Sequence, residues 1–238
     1  MELISAPISQ KEKQMTPRTN PSSAALRERM SLVVSALEER YPVSECALEY
    51  GGEPWRLLVM GRLSAQCTDA RVNIVCKELF AVYPTLSSLA DAPVEDIERI
   101  IKPCGLYHAK AKSIKESCTM LRDRYGGVLP DTMDELLKLS GVGRKIANLL
   151  LGDIYKKPAI VADTHCIRIC GRLGFYSEEL KDPYKVELIL SELCEAQKQS
   201  ELCHRLVFFG RDICSARAPK CAECPLCALC DRYKRSMK

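Results

Sequence analysis

Apolar residues recur along most of the chain at the three- and four-residue spacing of an α-helix. Residues 24–41, AALRERMSLVVSALEERY, place Leu26, Met30, Val33 and Leu37 on one face and charges on the other. This pattern predicts an amphipathic helix packed against a core. The same periodicity is found in residues 55–66, 69–83, 93–104, 108–126, 131–139 and 144–155. No run of strand length alternates apolar and polar residues, so we predict an all-α fold.

Short breaks rich in proline and glycine separate the predicted helices. Thr132, followed by Glu135, has the spacing of a capping box, which predicts a helix that begins near residue 132. Residues 1–22 are rich in Ser, Thr, Pro, Gln and Lys. Such a segment buries too little apolar surface to order itself, so we expect a flexible leader.

Composition and charge narrow the class of protein. With 238 residues, of which 47% are hydrophobic, the chain is long enough for one large or two small cores. No apolar run approaches the roughly 20 residues of a membrane span, so we expect a cytoplasmic protein. Residues 211–238 carry seven cations against three acids, a surplus equal to the whole net charge of +4. A polyanionic partner near the C-terminus and a merely solvated basic tail both fit this surplus.

The sequence contains 14 cysteines and shows no export signal, so we expect reduced thiols and no disulfide framework. Nine are scattered among apolar neighbours, where a small buried thiol is the ordinary state. These are Cys46, Cys67, Cys76, Cys104, Cys118, Cys166, Cys170, Cys194 and Cys203.

The other five cysteines are crowded into residues 214–230, the cysteine loop. Cys214, Cys221, Cys224 and Cys230 have the spacing C-x6-C-x2-C-x5-C, which indicates a bound metal or an iron-sulfur cluster. Cys227 also continues an unbroken CxxC series from Cys221. The spacing alone therefore leaves open both the set of ligands and the choice between zinc and iron.

Residues 139–143, LSGVG, lie between two predicted helices and form the hairpin loop of a predicted helix-hairpin-helix. We expect Gly141 and Gly143 to adopt positive φ and to bring bare backbone to a surface, while Val142 points to the core. The first N–H groups of the next helix lack partners and suit a phosphate, and Arg144 adds a cation. A plain interhelical turn is the alternative.

Lys145 falls in the first turn of that helix, where a cation is unfavourable. Lys145 is either a surface lysine that contacts phosphate or an amine nucleophile. The positive end of the helix and Arg144 disfavour the charged form of the amine, whereas a bound phosphate favours it. Asp163, in VADTH, precedes a helical pattern and suits a helix cap. The same carboxylate could face the amine and stabilise a developing cation.

Together, LSGVGRK, VADTH and the cysteine spacing resemble the endonuclease III family of DNA glycosylases with AP lyase activity. The resemblance covers about residues 24–235 and includes LSAQCTDARVN, IKPCGLYHAKA and FFGRDICSARAPKC. It implies two helical domains with DNA in the cleft between them. Residues 47–157 would form a six-helix barrel with the helix-hairpin-helix at about 131–152, and residues 23–46 with 158–238 a second domain closed by a [4Fe-4S] cluster.

The resemblance also implies roles for single residues. Lys145 would form a Schiff base with a flipped-out damaged nucleotide, and Asp163 would assist base departure. Gln66 and Leu106 would fill the gap in the DNA. Gly141, Gly143, Arg144, Arg217 and Lys220 would contact its backbone, and Cys214, Cys221, Cys224 and Cys230 would hold the cluster.

We therefore expect a monomeric base excision repair enzyme that removes oxidised pyrimidines from duplex DNA and nicks abasic sites. Ser140 stands where the family usually has proline. The alternative is a DNA-binding or redox-sensing protein that uses the hairpin and the cysteines but not the amine of Lys145.

Overall fold

The computed structural model describes residues 22–237, so the predicted leader lies outside this range except for Ser22. The helices are α1 (Ser23–Arg40), α2 (Pro54–Leu63), α3 (Asp69–Val82), α4 (Leu86–Asp91), α5 (Val94–Ile101), α6 (Tyr107–Tyr125), α7 (Met133–Leu136), α8 (Arg144–Asp153), α9 (Thr164–Leu173), α10 (Pro183–Leu193), α11 (Gln199–Asp212) and α12 (Asp231–Ser236). Residues 22–237 contain no strand, which confirms the all-α prediction.

Two hydrophobic cores divide these helices. The first core is built from α2 to α8, with Leu57, Leu79 and Ile114 fully buried. The second core brings α1, from the N-terminal side, against α9, α10 and α11, with Leu37 and Ile169 fully buried. The chain therefore crosses between the cores near residues 41–47 and again near residues 159–160. The domain boundaries remain a prediction, because a cluster describes packing and not independent folding.

Side-chain caps begin α1, α3, α4, α9 and α10, but the cap predicted for α7 does not form. The side chain of Thr68 accepts a hydrogen bond from the Arg71 N–H at the start of α3. At α7, Thr132 occupies the N-cap but its side chain makes no capping hydrogen bond. Glu135 instead accepts from the Tyr125 hydroxyl (2.9 Å) and pairs with Lys138. The predicted start is right, and the predicted capping box is wrong because nearer donors take the glutamate.

Of the nine scattered cysteines, seven are buried as expected. Cys46 and Cys67 are partly exposed, which corrects the expectation for these two. Both lie in connecting segments and not in the helices that cover the cores. Across residues 22–237, no helix combines the length and the apolar character needed to cross a bilayer.

Candidate active site and DNA-binding surface

The hairpin loop connects α7 to α8 by a turn that needs a glycine at one position. Gly141 has a φ of +75°, and an added Cβ would lie 2.5 Å from Arg62 Nε and 2.9 Å from the Cβ of Ser113. Val142 is 7% exposed and holds the turn to the first core. The loop thus combines left-handed backbone with a close approach that no larger residue allows.

Gly143 differs from the expectation for it. Its φ is −102°, so its backbone is extended and any residue could adopt it. Nothing lies within 4 Å of the position of an added Cβ, and the residue is exposed. Gly143 therefore leaves bare backbone at an open surface directly before the first unpaired N–H groups of α8.

Arg144, the first residue of α8, is engaged by the second core. Its Nε donates to Glu187 Oε2 at 3.0 Å, and its guanidinium stacks over the ring of Tyr184 at 4.6 Å. The hydrogen bond that Arg144 donates to Glu187 raises the pKa of Arg144. The Glu187 carboxylate thus pairs with the cation that directly precedes Lys145.

Lys145 and Asp163 line one cavity of about 90 Å³ where the two cores meet; we call it the seam cavity. Lys145 is an exposed residue in the first turn of α8. Asp163 caps α9, and its Oδ1 accepts from the Cys166 N–H at 2.7 Å. The predicted capping role is confirmed, and the same carboxyl group is part of the cavity wall. An amine and a carboxyl group thus line one small space.

Further acids of the seam cavity were not predicted from the sequence. Glu45 and Asp69 also line it. Asp69 pairs with Arg211 of the second core at 2.5 Å. A second link is the hydrogen bond between His204 Nε2 and Asp153 Oδ1 at 2.7 Å, with Asp153 almost fully buried. A local sequence pattern cannot predict contacts between residues that are 51 or 142 positions apart.

Gln66 and Leu106 share an unusual backbone conformation. Their φ values are +55° and +49°, and among residues 22–237 the only other non-glycine residue with positive φ is Lys156. A left-handed conformation at such residues costs about 1–3 kcal/mol and is kept only where the surroundings impose it. Both side chains are exposed, that of Leu106 by 59%. The fold thus holds two side chains outward at an energetic cost.

The cysteine loop brings its thiols together around a cavity of about 160 Å³. Cys214, Cys221, Cys224, Cys227 and Cys230 all line it, and all are free thiols. Arg172, buried in α9, donates to Cys214 Sγ at 3.2 Å and to the carbonyl oxygens of Ser215 and Ala216. A buried cation that donates to sulfur suits thiolate ligands, so this donor set fits an iron-sulfur cluster.

The basic residues near the C-terminus fall into two groups. Arg232 and Arg235 both pair with Glu178, so part of the charge surplus is neutralised within the protein. Arg217 and Lys220 are exposed on the first interval of the cysteine loop. The pairing of Arg232 and Arg235 thus reduces the positive charge that the C-terminal part of the chain can offer to a polyanion, and a contact from Arg217 and Lys220 stays a prediction.

Comparison with known proteins agrees with this architecture. Residues 59–196 match the model of the HhH-GPD superfamily base excision DNA repair protein. Endonuclease III of Bacillus subtilis (strain 168) is 41% identical over 213 residues, which is 89% of this chain and 96% of the relative.

Among solved structures, a trapped endonuclease III–DNA covalent intermediate superposes with a TM-score of 0.83 at 39% identity, covering 89% of this chain and 99% of that one. A thermostable thymine-DNA glycosylase superposes with a TM-score of 0.80 at 25% identity over the same shares of the two chains. On these matches, together with the hairpin, the seam cavity and the cysteine loop, the chain belongs to the endonuclease III family within the HhH-GPD superfamily of base excision DNA repair proteins.

Proposed function

We propose that the chain is a bifunctional DNA glycosylase and AP lyase of base excision repair that removes oxidised pyrimidines from duplex DNA in the cytoplasm. The observation that carries this proposal is the placement of Lys145 and Asp163 on the wall of one cavity between the two cores. An amine beside a carboxylate is the pair that Schiff-base chemistry at a sugar carbon needs. Family membership supports the same reaction class.

The neutral amine of Lys145 attacks C1′ of an extruded nucleotide, and the bond from C1′ to the base breaks with its electron pair leaving on the base. Ring opening gives an imine between Nζ and C1′. Removal of a proton from C2′ then expels the 3′ phosphate oxygen, and water hydrolyses the imine to return the amine. Asp163 is placed to stabilise the cationic sugar and to carry protons, because its carboxylate lines the same cavity.

DNA binding is assigned to three surfaces. The exposed backbone at Gly143 and the first N–H groups of α8 suit a phosphate beside the nucleophile. Gln66 and Leu106 project from strained backbone and suit the gap that an extruded nucleotide leaves. Arg217 and Lys220 suit phosphates farther along the duplex. A contact from Arg144 would use the N–H groups of Nη1, which its hydrogen bonds to Glu187 leave free, or would displace that carboxylate.

We assign a [4Fe-4S] cluster to Cys214, Cys221, Cys224 and Cys230. When bound, such a cluster ties four points of the cysteine loop together and so fixes the chain that carries Arg217 and Lys220. Arg172 would anchor the cysteine loop to α9 through its hydrogen bonds to Cys214 Sγ and to two loop carbonyl groups.

The proposed function is tested by borohydride trapping on duplex DNA with one abasic site. Wild type should form a covalent protein–DNA adduct, and Lys145→Gln should form none. Lys77→Gln is the matched control, because Lys77 is a lysine with a 73% exposed side chain outside the seam cavity. Equal trapping by Lys145→Gln would refute the assignment. Binding without any adduct or strand cleavage by wild type would instead support the non-catalytic alternative.

The substrate class has its own test. Duplexes that each carry one oxidised pyrimidine, one oxidised purine or one mismatched thymine should separate the candidates under single-turnover conditions. We expect base release from the oxidised pyrimidine at a rate at least about tenfold above the others, a difference of roughly 1.4 kcal/mol in transition-state binding. Faster release of the mismatched thymine would contradict the proposed specificity.

A further inference from the structure

Lys110 is a fully buried lysine in α6 with 0% exposure. Its Nζ donates to the carbonyl oxygens of Leu63 (2.8 Å), Ala65 (2.7 Å) and Cys104 (2.9 Å). Three acceptors match the three N–H bonds of an ammonium group, whereas a neutral amine could supply only two. Burial lowers the pKa of Lys110, and these carbonyl partners are the groups that offset the loss of water.

The three acceptors belong to the two segments that carry the strained, outward residues. Leu63 ends α2, and Ala65 directly precedes Gln66. Cys104 lies two residues before Leu106. Because Ala65 and Cys104 accept from the same nitrogen, the two segments lie within two hydrogen-bond lengths of each other at this point.

Other contacts join the same segments more weakly. Burial and, next to it, the neighbouring Cys67 thiol raise the pKa of Cys104, so the two thiols lie close to each other. A thiol is a weak donor, whereas the ammonium group makes three hydrogen bonds to the two segments. Loss of Lys110 should therefore loosen the two segments without separating them.

We propose that Lys110 is a positioning residue that locks Gln66 and Leu106 in register with each other, so that both enter the DNA together when a nucleotide is extruded. This inference rests on the proposed function, because it concerns the extrusion step of that reaction. Lys110 lies outside the seam cavity and does not touch the reacting atoms. Its effect is on the cost of extrusion, which the enzyme meets before any bond changes.

The first test compares Lys110→Met with wild type on a lesion paired in duplex DNA and on the same lesion in a single strand, which needs no extrusion from a helix. Under single-turnover conditions, we expect release from the duplex to fall about tenfold or more and release from the single strand to change less than about twofold. The fluorescence of an extruded base analogue should fall in parallel. Equal losses on both substrates would overturn the inference.

A double-mutant cycle shows whether Lys110 acts through the two outward residues. In the Gln66→Ala/Leu106→Ala background, Lys110→Met should slow base release from the duplex by less than about twofold, because the effects of mutations at coupled residues do not add. Full additivity would indicate a merely structural role. If Lys110→Met does not fold, Lys110→Arg, which keeps the charge but displaces the donors, replaces it in the same cycle.

The two proposals fail separately. If wild type forms no borohydride adduct and releases no base from either substrate, the proposed function fails. If wild type is active and Lys110→Met shows no selective loss on duplex DNA, the inference about Lys110 fails alone. Thermal melting and visible absorption of each variant confirm that the fold and the cysteine loop are intact.

Discussion

Arg144 and Glu187 form an ion pair that spans the two cores, between the first residue of α8 and a residue of α10 whose side chain is 11% exposed. The cation that follows the hairpin loop is thus already matched by an anion in the DNA-free protein. The Glu187 carboxylate therefore weakens the attraction between Arg144 and a phosphate.

Glu187→Gln should therefore have two opposite effects. The free energy of unfolding should fall by about 1–2 kcal/mol, less than for a fully buried pair because Arg144 is 39% exposed. Affinity for abasic duplex should rise because Arg144 is released. The slope of log affinity against log salt should become steeper by about 0.9, the value for one phosphate contact. Urea unfolding and binding across a salt series measure both effects. A flatter salt dependence would show that Arg144 does not reach the DNA.

Gly141 and Gly143 should respond differently to alanine. Gly141→Ala combines positive φ with a Cβ placed 2.5 Å from Arg62, so we expect a loss of about 2–4 kcal/mol in unfolding free energy. Gly143→Ala meets no atom within 4 Å and should cost less than about 1 kcal/mol. Its methyl group should instead weaken DNA binding. Equal losses of stability would contradict the geometry of the loop.

Arg217 and Lys220 should contribute to DNA binding through charge alone. The double variant Arg217→Gln/Lys220→Gln should lower the slope of log affinity against log salt by about 1.8, at roughly 0.9 per phosphate contact. Arg99→Gln, which removes a cation that is 68% exposed in α5, is the control and should leave the slope unchanged. The rate of bond cleavage at saturating DNA should not change in either variant.

The half-buried His165 predicts a loss of stability in mild acid. Burial lowers its pKa below 6.5, and Arg168 points an N–H toward its Nδ1, an arrangement that requires the neutral ring. The unfolded chain therefore binds the proton more readily, and stability falls as the pH drops from about 6.5 to the folded pKa. His165→Asn should remove this slope in a pH series of melting temperatures. The exposed His108→Asn is the control and should retain it.

Cysteine variants should settle the ligand set of the cysteine loop. Cys224→Ser should lose iron, sulfide and the broad absorption near about 400 nm, because it removes an assigned thiolate. Cys227→Ser should retain all three, since Cys227 is assigned no ligand role. Loss of iron from Cys227→Ser together with retention in Cys214→Ser would favour the unbroken CxxC series. Zinc in place of iron would refute the cluster.

Much of the architecture could be predicted from local pattern. The 3.6-residue periodicity predicts α1 to α3 and α5 to α9, but α4 and α10 to α12 are not among the predicted helices. The glycines locate the hairpin loop because turn chemistry is local. The roles of Lys145 and Asp163 depended on a resemblance, since no rule of spacing brings two residues of different helices onto one cavity.

The burial of Lys110 and the backbone conformation of Gln66 and Leu106 were not predicted, for one physical reason. Lys110 lies in a charged stretch, HAKAKSIKES, that reads as an exposed helix face, yet it is fully buried. Its partners are backbone carbonyl groups, which every residue carries and which no sequence pattern distinguishes. The left-handed backbone of Gln66 and Leu106 could not be predicted either, because tertiary contacts impose it and no local pattern marks it.

The seam cavity takes its walls from both cores, so neither half of the chain contains an assembled reaction centre by itself. If Lys145 and Asp163 act as proposed, a partly synthesised, partly folded or proteolysed chain that lacks one core would lack one of these two groups and should not cut DNA. For an enzyme whose reaction breaks the genome, this dependence acts as a safeguard: strand scission is available only to molecules that have completed their folding.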